Sequence, residues 1–379
     1  MSSTVERGST VEKLARLEQI LDRRNLDGAV VCSYQNVSYF GGTYLMTQIS
    51  LPDRLAFLVQ PRGKPPTLVV CGIETRQVRE QTDIEDLRDY VEFVDNPTEV
   101  LAHVLEERGI ASGSIGVDAR RLSLASGDLL KERLRGVELV SIDDDIELTQ
   151  AVKDRWEIDT LEVAARATLA AAEETAAELR AGCTERDFST TVFLKLMQKG
   201  GAPLFLVFAS AERTMQAHPE STDRPLEPGQ LWRIDFGARF QEVINSDLAR
   251  TGVVGDPSPE QAATLAALRA TQDAGFRAIE PGRPARDVFN AVRDEFKRQG
   301  LPFGMPHIGH GMGIGLHEFP ILEPGNDIRL EAGMVLNIEP MVVLESRREA
   351  YHTEDLAEVT PNGARLLTPP QEALLQVRE

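Results

Sequence analysis

The sequence predicts an α/β domain over residues 1–148, followed by an α+β domain over residues 149–379 built on an internal pseudo-two-fold repeat. Three observations lead there. Strand-like and helix-like segments alternate up to about residue 140, the pattern of a small α/β unit. Long runs rich in Ala, Glu and Leu follow. Two blocks of this second part then recur in the same order.

In chain order, residues 9–23 have the spacing of an amphipathic helix. "LDGAVVCSY" reads as a strand. "RLAFLVQPRGKPPTLVVCG" reads as two strands about a turn at Pro61–Lys64, with Arg62-Gly63 at the bend. "NPTEVLAHVLEERGI" is a helix stopped at Gly109, and "SIGVDA" a short strand. The acidic, strand-poor "SIDDDIELTQAVKD" is the expected connector. Beyond it, "RWEIDTLEVAARATLAAAEETAAELRAG" is a helix that Gly182 ends. "SPEQAATLAALRATQDAGFRAIEPG" opens with Ser258 as N-cap, Pro259 at the first helical position and Gln261 completing a capping box.

The repeat is read by laying residues 176–200 over 276–300. Gly182 falls on Gly282, Arg186-Asp187 on Arg286-Asp287 and Gly200 on Gly300, all at an offset of 100 without gaps. "LEPGQLWRID" (226–235) then matches "LEAGMVLNIE" (330–339) at an offset of 104. Each half is therefore helix, turn, helix, strands. The matched strands put Asp235 and Glu339 at equivalent positions, each one residue after an isoleucine. A second acid lies downstream in each half: Asp247 in "NSDLARTGVV" and Glu354 in "YHTEDLAEVT".

Composition narrows the function. With 41 Lys+Arg against 60 Asp+Glu the net charge is −19, which repels a phosphate backbone and argues against a nucleic-acid partner. No run of 18 apolar residues is present, so no membrane span is expected. The first residues, "MSSTVERGSTVEKLARLEQ", lack the apolar core of a signal peptide. The three cysteines, Cys32, Cys71 and Cys183, show no zinc-ligand spacing and read as free thiols of a cytoplasmic protein.

Four acids at repeat-related strand positions repel one another and lose hydration if buried together. The plain structural solution is pairing with arginine, and Arg233 and Arg250 are near in sequence. Divalent cations are the better counter-charge, because a histidine-rich segment lies between the acids. "MPHIGHGMGIGLHEFP" (305–320) holds His307, His310 and His317 among four alternating glycines. It is not a phosphate loop: Pro306 precedes it, "HEFPILEPG" follows, and no Gly-Lys-Ser/Thr is present. Glycines around His310 are expected to let backbone pass close to a metal centre. Carboxylates with one or two imidazoles suit a pair of Mn2+, Co2+, Fe2+ or Zn2+ ions, held roughly 3.5–4 Å apart by shared carboxylates.

"RIDFGARF…NSDLARTG", "GHGMGIGLHE", "NIEPMVV" and "TEDLAEVT", in that order, resemble the pita-bread metallopeptidases: methionine aminopeptidase, aminopeptidase P, prolidase and the related creatinase. "NVSYFGGTY" resembles the creatinase/prolidase N-terminal domain, which methionine aminopeptidases usually lack. The resemblance implies a pita-bread fold for 149–379 and two divalent ions per chain, Mn2+ first among them. It implies that Asp235 chelates one ion, Asp247 and Glu354 bridge both, and His310 and Glu339 bind the second. It implies a substrate- and oxyanion-binding role for His317, an active-site role for His218, and proton transfer by Glu339. It leaves His307 to packing or support of the site. It further implies a homodimer whose N-terminal domains reach the partner's site, with "NVSYFGGTY" as the edge.

Three positions depart from the family pattern. Ala217, not proline, precedes His218. The interval from Asp235 to Asp247 is 12, one more than expected, so a bulge is expected at "EVIN". His352 stands where proline-specific members carry arginine, two residues before the last glutamate. The expected activity is hydrolysis of a C–N bond in a small peptide or amide, led by Xaa-Pro dipeptidase or aminopeptidase. The alternatives are a creatinase-like or cyclic-amidine (ectoine-type) hydrolase, a lyase on the same scaffold, and a silent binding relative. His352 is expected to line the substrate pocket or to orient Glu354.

Overall fold

The computed structural model describes residues 10–51 and 53–379 and divides the chain into two compact units between Thr149 and Gln150. In the first unit, strands β1 (Gly28–Val31), β2 (Phe57–Pro61), β3 (Thr67–Cys71), β4 (Asp86–Tyr90), β5 (Ser114–Val117) and β6 (Glu138–Ser141) form one sheet in the order β4-β3-β2-β1-β5-β6. The β1–β2 and β2–β3 pairs are antiparallel and the rest parallel. Strands β1 to β3 are buried along their whole length, which is why they are near-continuous apolar runs.

The helix expected over 9–23 spans Thr10–Arg24; residue 9 and the rest of the polar leader lie outside the described residues. Pro97–Arg108 is a helix capped by Asn96 and closed by Gly109 at φ +75, the left-handed cap that glycine adopts without strain. The expected connector is not open chain. Asp143–Ala151 is a helix with Asp143, Asp144 and Asp145 in its first turn, where acids complement the helix dipole. Within "NVSYFGGTY", Tyr34–Gly41 is a helix with Val37, Tyr39 and Phe40 in the core.

In the second unit the repeat is visible element by element. Helices Arg155–Glu178 and Glu185–Gln198 correspond to Pro259–Ala278 and Ala285–Arg298. The first helix ends at Glu178, four residues short of Gly182, because Arg180 forms a β-bridge with Arg378. The Ser258 capping box is present as expected.

The strands are β7 (Ala202–Ser210), β8 (Leu231–Phe240), β9 (Ile244–Asn245), β10 (Leu248–Val254), β11 (Gly309–Gly311), β12 (Val335–Ile338), β13 (Met341–Leu344), β14 (Glu349–His352), β15 (Asp355–Thr360), β16 (Gly363–Leu366) and β17 (Leu375–Val377). They form a β17-β10-β8-β7 sheet to which β9 adds, a β11-β12-β15-β16 sheet, and a β13-β14 ribbon. Each half packs its helix pair on its own sheet. Phe188 and Val192 meet Phe208, Trp232 and Ile234 in one core; Val288, Val292 and Phe296 meet Leu336, Ile338 and Ala357 in the other. The antiparallel β8–β10 pair of the first half thus matches β12–β15 of the second.

Candidate metal centre

Strand pairing decides which way the acids face. Asp235 on β8 lies opposite Ala249 on β10, so Asp235 and Asp247, two residues from Ala249, share one face of the sheet. Ile338 lies opposite Asp355, which puts Glu339 and Glu354 across from one another just beyond the ends of β12 and β15. The Glu354 N–H donates to Ala249 O at 3.1 Å and joins the two halves. No bulge separates Asp235 from Asp247. The β8–β9 and β8–β10 pairings keep one register, and the turn absorbs the length, with Gln241 and Glu242 at φ +47 and +64.

Asp235, Asp247 and Glu354 offer carboxylate oxygens within 4.8 Å of one another; His310, Glu339 and Glu354, and Asp247, His310 and His317, bring imidazole nitrogens and carboxylate oxygens together within the same distance. His310 sits on β11 and gives its Nδ1 proton to Gly311 O at 2.9 Å. A carbonyl only accepts, so the Nε2 lone pair is free. It faces Glu339 Oε1 at 3.7 Å, Asp247 Oδ2 at 3.8 Å and Glu354 Oε1 at 3.9 Å. These separations are too long for hydrogen bonds and suit ligands of a common ion. The His317 ring stacks on His310, centroids 3.9 Å apart and planes 21° apart, and is itself exposed.

The arginines do not neutralise the acids. Arg233 donates its Nε to Thr214 O and its Nη2 to the carbonyls of Gln216 and Ala217. Arg250 pairs with Asp355 at 2.6 Å and donates to Glu354 O and Pro369 O. Asp247 Oδ1, His310 Nε2, Glu339 Oε1 and Glu354 Oε1 are buried without a hydrogen-bond partner. Native proteins rarely leave such atoms unsatisfied. A donor set of carboxylates and one neutral imidazole with its lone pair turned inward fits divalent ions.

Burial, reinforced by Asp235 and Glu339, pushes the Asp247 carboxyl well up. Burial, Asp247 and Glu339 do the same to Glu354. Burial lifts Asp235 to about 7 against the pull of Arg233. Glu339 differs: burial pushes it up, but His307, whose Nδ1 lies 3.3 Å from Oε1, and the imidazoles of His310 and His352 outweigh that and hold it at about 2. Burial lowers His310 to about 4, and burial with Arg233 lowers His352 to about 4.

In the metal-free protein these shifts have a measurable sign. Raised carboxyls make the folded state hold more protons than the unfolded chain, so stability falls as pH rises through their window. The lowered imidazoles act oppositely, from about 4 up to their ordinary 6.5, and no longer differ above it. Chelated protein is therefore expected to lose thermal stability as pH rises from about 6.5 through the Asp235 value of about 7 and on as Asp247 and Glu354 ionise, and added divalent ions to raise Tm most at the upper end. A thermal melt series in chelator checks this; a flat or rising Tm over that window contradicts an uncompensated acid cluster.

The remaining site residues fall in different places. His352 ends β14 with its N–H on Thr251 Oγ1 at 2.8 Å. Its Nδ1 is 3.8 Å from Asp235 Oδ2 and its Nε2 3.8 Å from Glu339 Oε2, and neither nitrogen has a hydrogen-bond partner. It faces Asp235 and Glu339. His218 is exposed on the loop after the turn at 211–215, and among the described residues no hydrogen bond or ion pair ties it to the acids. His307, expected to pack or to support the site, lies against Glu339, its Nδ1 3.3 Å from Oε1.

Known proteins match both units. The metallopeptidase family M24 model matches residues 159–361, more than half of the chain, and the creatinase/prolidase N-terminal domain model matches 13–152. An Xaa-Pro dipeptidase of Pyrococcus furiosus is 28% identical over 371 residues, covering 96% of this chain and 99% of the relative. The crystal structure of dipeptidase PepE from Mycobacterium ulcerans superposes with a TM-score of 0.85 at 28% identity, covering 98% of each chain. An Xaa-Pro dipeptidase from Bacillus anthracis, 23% identical, shares the fold with a TM-score of 0.86 over 97% of this chain and 100% of that one. With its acids gathered where the two halves of the repeat meet, the chain belongs to metallopeptidase family M24 and is a metal-dependent hydrolase of peptide bonds with the pita-bread fold.

Proposed function

We propose that this protein is a dinuclear metallopeptidase of the Xaa-Pro dipeptidase or aminopeptidase type. It acts on small peptides in the cytoplasm as a homodimer, with Mn2+ first among its ions. The observation that carries the reading is the set of four convergent carboxylates, with Arg233 and Arg250, near them in sequence, engaged elsewhere. Asp235, Asp247, His310, Glu339 and Glu354 hold the ions. When bound, the ions polarise a carbonyl oxygen and make water nucleophilic near neutral pH. Glu339, anionic at that pH and bordered by His307, takes a proton from the attacking water and delivers it to the leaving nitrogen. His317, exposed above His310, hydrogen-bonds the reacting oxygen. His218, on its exposed loop, reaches the substrate from the solvent side. The three unpaired thiols support a reducing compartment. Relatives named Xaa-Pro dipeptidase support the proline preference.

His352 favours a second reading, a non-peptide substrate such as a guanidino compound or cyclic amidine. Arginine would offer a permanent forked cation to a substrate carboxylate or carbonyl. Burial and Arg233 instead hold His352 below its ordinary pKa, so it presents a neutral ring. The test is Mn2+-, Co2+- or Zn2+-loaded enzyme on Xaa-Pro dipeptides, longer Xaa-Pro peptides, and guanidino or cyclic-amidine compounds. If His352 sets specificity, wild-type kcat/KM on Xaa-Pro dipeptides is low and His352→Arg raises it. Wild-type turnover above about 10⁴ M⁻¹s⁻¹ contradicts that and leaves an ordinary proline dipeptidase.

A further inference from the structure

We propose that Lys153 is a positioning residue for hydrolysis: its buried ion pair with Glu318 holds the loop 311–318 closed and so fixes the imidazole of His317. The inference rests on the proposed role of His317 at the substrate.

The Lys153 ammonium, its side chain 1% exposed, lies 2.5 Å from Glu318 Oε2, in a side chain 9% exposed. Lys153 also donates to Gln150 O. The other Glu318 oxygen accepts the Gly315 N–H at 2.6 Å. Gly311 and Glu318 exchange both backbone hydrogen bonds, 2.9 Å each, so the intervening residues form a closed loop with the Glu318 carboxylate inside it. A Cβ on Gly313 would stand 2.6 Å from Glu318 Oε2, and one on Gly315 would stand 3.0 Å from Glu318 Cγ. Those two glycines let the loop wrap around a carboxylate. Gly309 and Gly311 accommodate backbone, the carbonyls of Asn337 and Phe319, at 2.0 and 2.1 Å from where a Cβ would be. The loop's other side is fastened by Asn245, whose N–H and side-chain amide donate to Gly313 O and Ile314 O, both at 2.9 Å.

His317 is the last residue before Glu318, and its ring lies on His310. A buried ion pair adds little net stability over apolar residues of the same shape. What this one adds is direction. Lys153 takes one Glu318 oxygen and Gly315 the other, so the carboxylate cannot rotate without opening the loop that aims His317.

The test compares Lys153→Met, Glu318→Gln and the two combined, each in wild-type and His317→Ala backgrounds, with metal content measured throughout. Lys153→Met is expected to lower kcat roughly 10–100-fold, the range for a reacting group displaced by about 1 Å, with KM changed less than about three-fold and metal retained. In the His317→Ala background it is expected to add less than about two-fold, because residues acting through one another are non-additive. Amide exchange over 311–318 is expected to quicken in Lys153→Met, with or without substrate. Combining Lys153→Met with Glu318→Gln is expected to recover stability and not kcat. If Lys153→Met folds poorly, Glu318→Gln, which keeps an acceptor for Gly315, carries the same comparison. Wild-type kcat in these variants, an equal loss in both backgrounds, or unchanged exchange in the loop overturns the proposal. Full activity of His317→Ala alone overturns the reading of His317 instead.

Discussion

Asp247→Asn and Glu354→Gln are each expected to leave a folded protein with well under one divalent ion per chain and hydrolysis at background. Both acids belong to the group shared with Asp235, and both face His310 Nε2, at 3.8 and 3.9 Å. On the proposed assignment each would be shared by two ions, and losing a shared ligand would weaken both sites at once. An amide keeps the shape but removes the charge that the cations compensate. The same change relieves repulsion in the metal-free protein, because burial and neighbouring acids push both carboxyls up. The variants should thus be at least as stable as chelated wild type. Elemental analysis and a thermal melt check both halves; about two ions per chain in both variants would remove the bridging assignment.

The two stacked histidines are expected to separate cleanly. His310→Ala should lose metal, because its Nε2 is the inward lone pair and its Nδ1 is committed to Gly311 O. His317→Ala should keep its metal while kcat falls roughly 10²–10³-fold, the range for one lost oxyanion donor. The outcome is open to reversal, since His317 also offers a nitrogen within 4.8 Å of Asp247 and His310. Metal loss from His317→Ala with retention in His310→Ala would exchange the two roles.

The acids and the repeat were legible because both are carried by local pattern. Helix pairs at one offset and Asp235 and Glu339 after matched isoleucines survive as positions in the chain, and the fold brings them together by repeating one unit. Partnerships were not legible. Nearness in sequence makes Arg233 and Arg250 the obvious candidates for pairing with the acids, but it does not say what they pair with instead. Strand pairing sends Arg233 to the carbonyls of 214–217 and Arg250 to Asp355, more than a hundred residues away. Lys153 and Glu318 are 165 residues apart, and no local pattern announces their contact. The glycines show in the sequence that backbone must come close to something; the fold shows to what, the Glu318 carboxylate at Gly313 and backbone carbonyls at Gly309 and Gly311.

The most direct test is the metal content of purified wild type, read together with peptide hydrolysis before chelation, after it, and after adding back Mn2+. About two ions per chain are expected, with hydrolysis lost in step with their removal and recovered on reloading. Hydrolysis undiminished in protein stripped of metal would contradict that expectation.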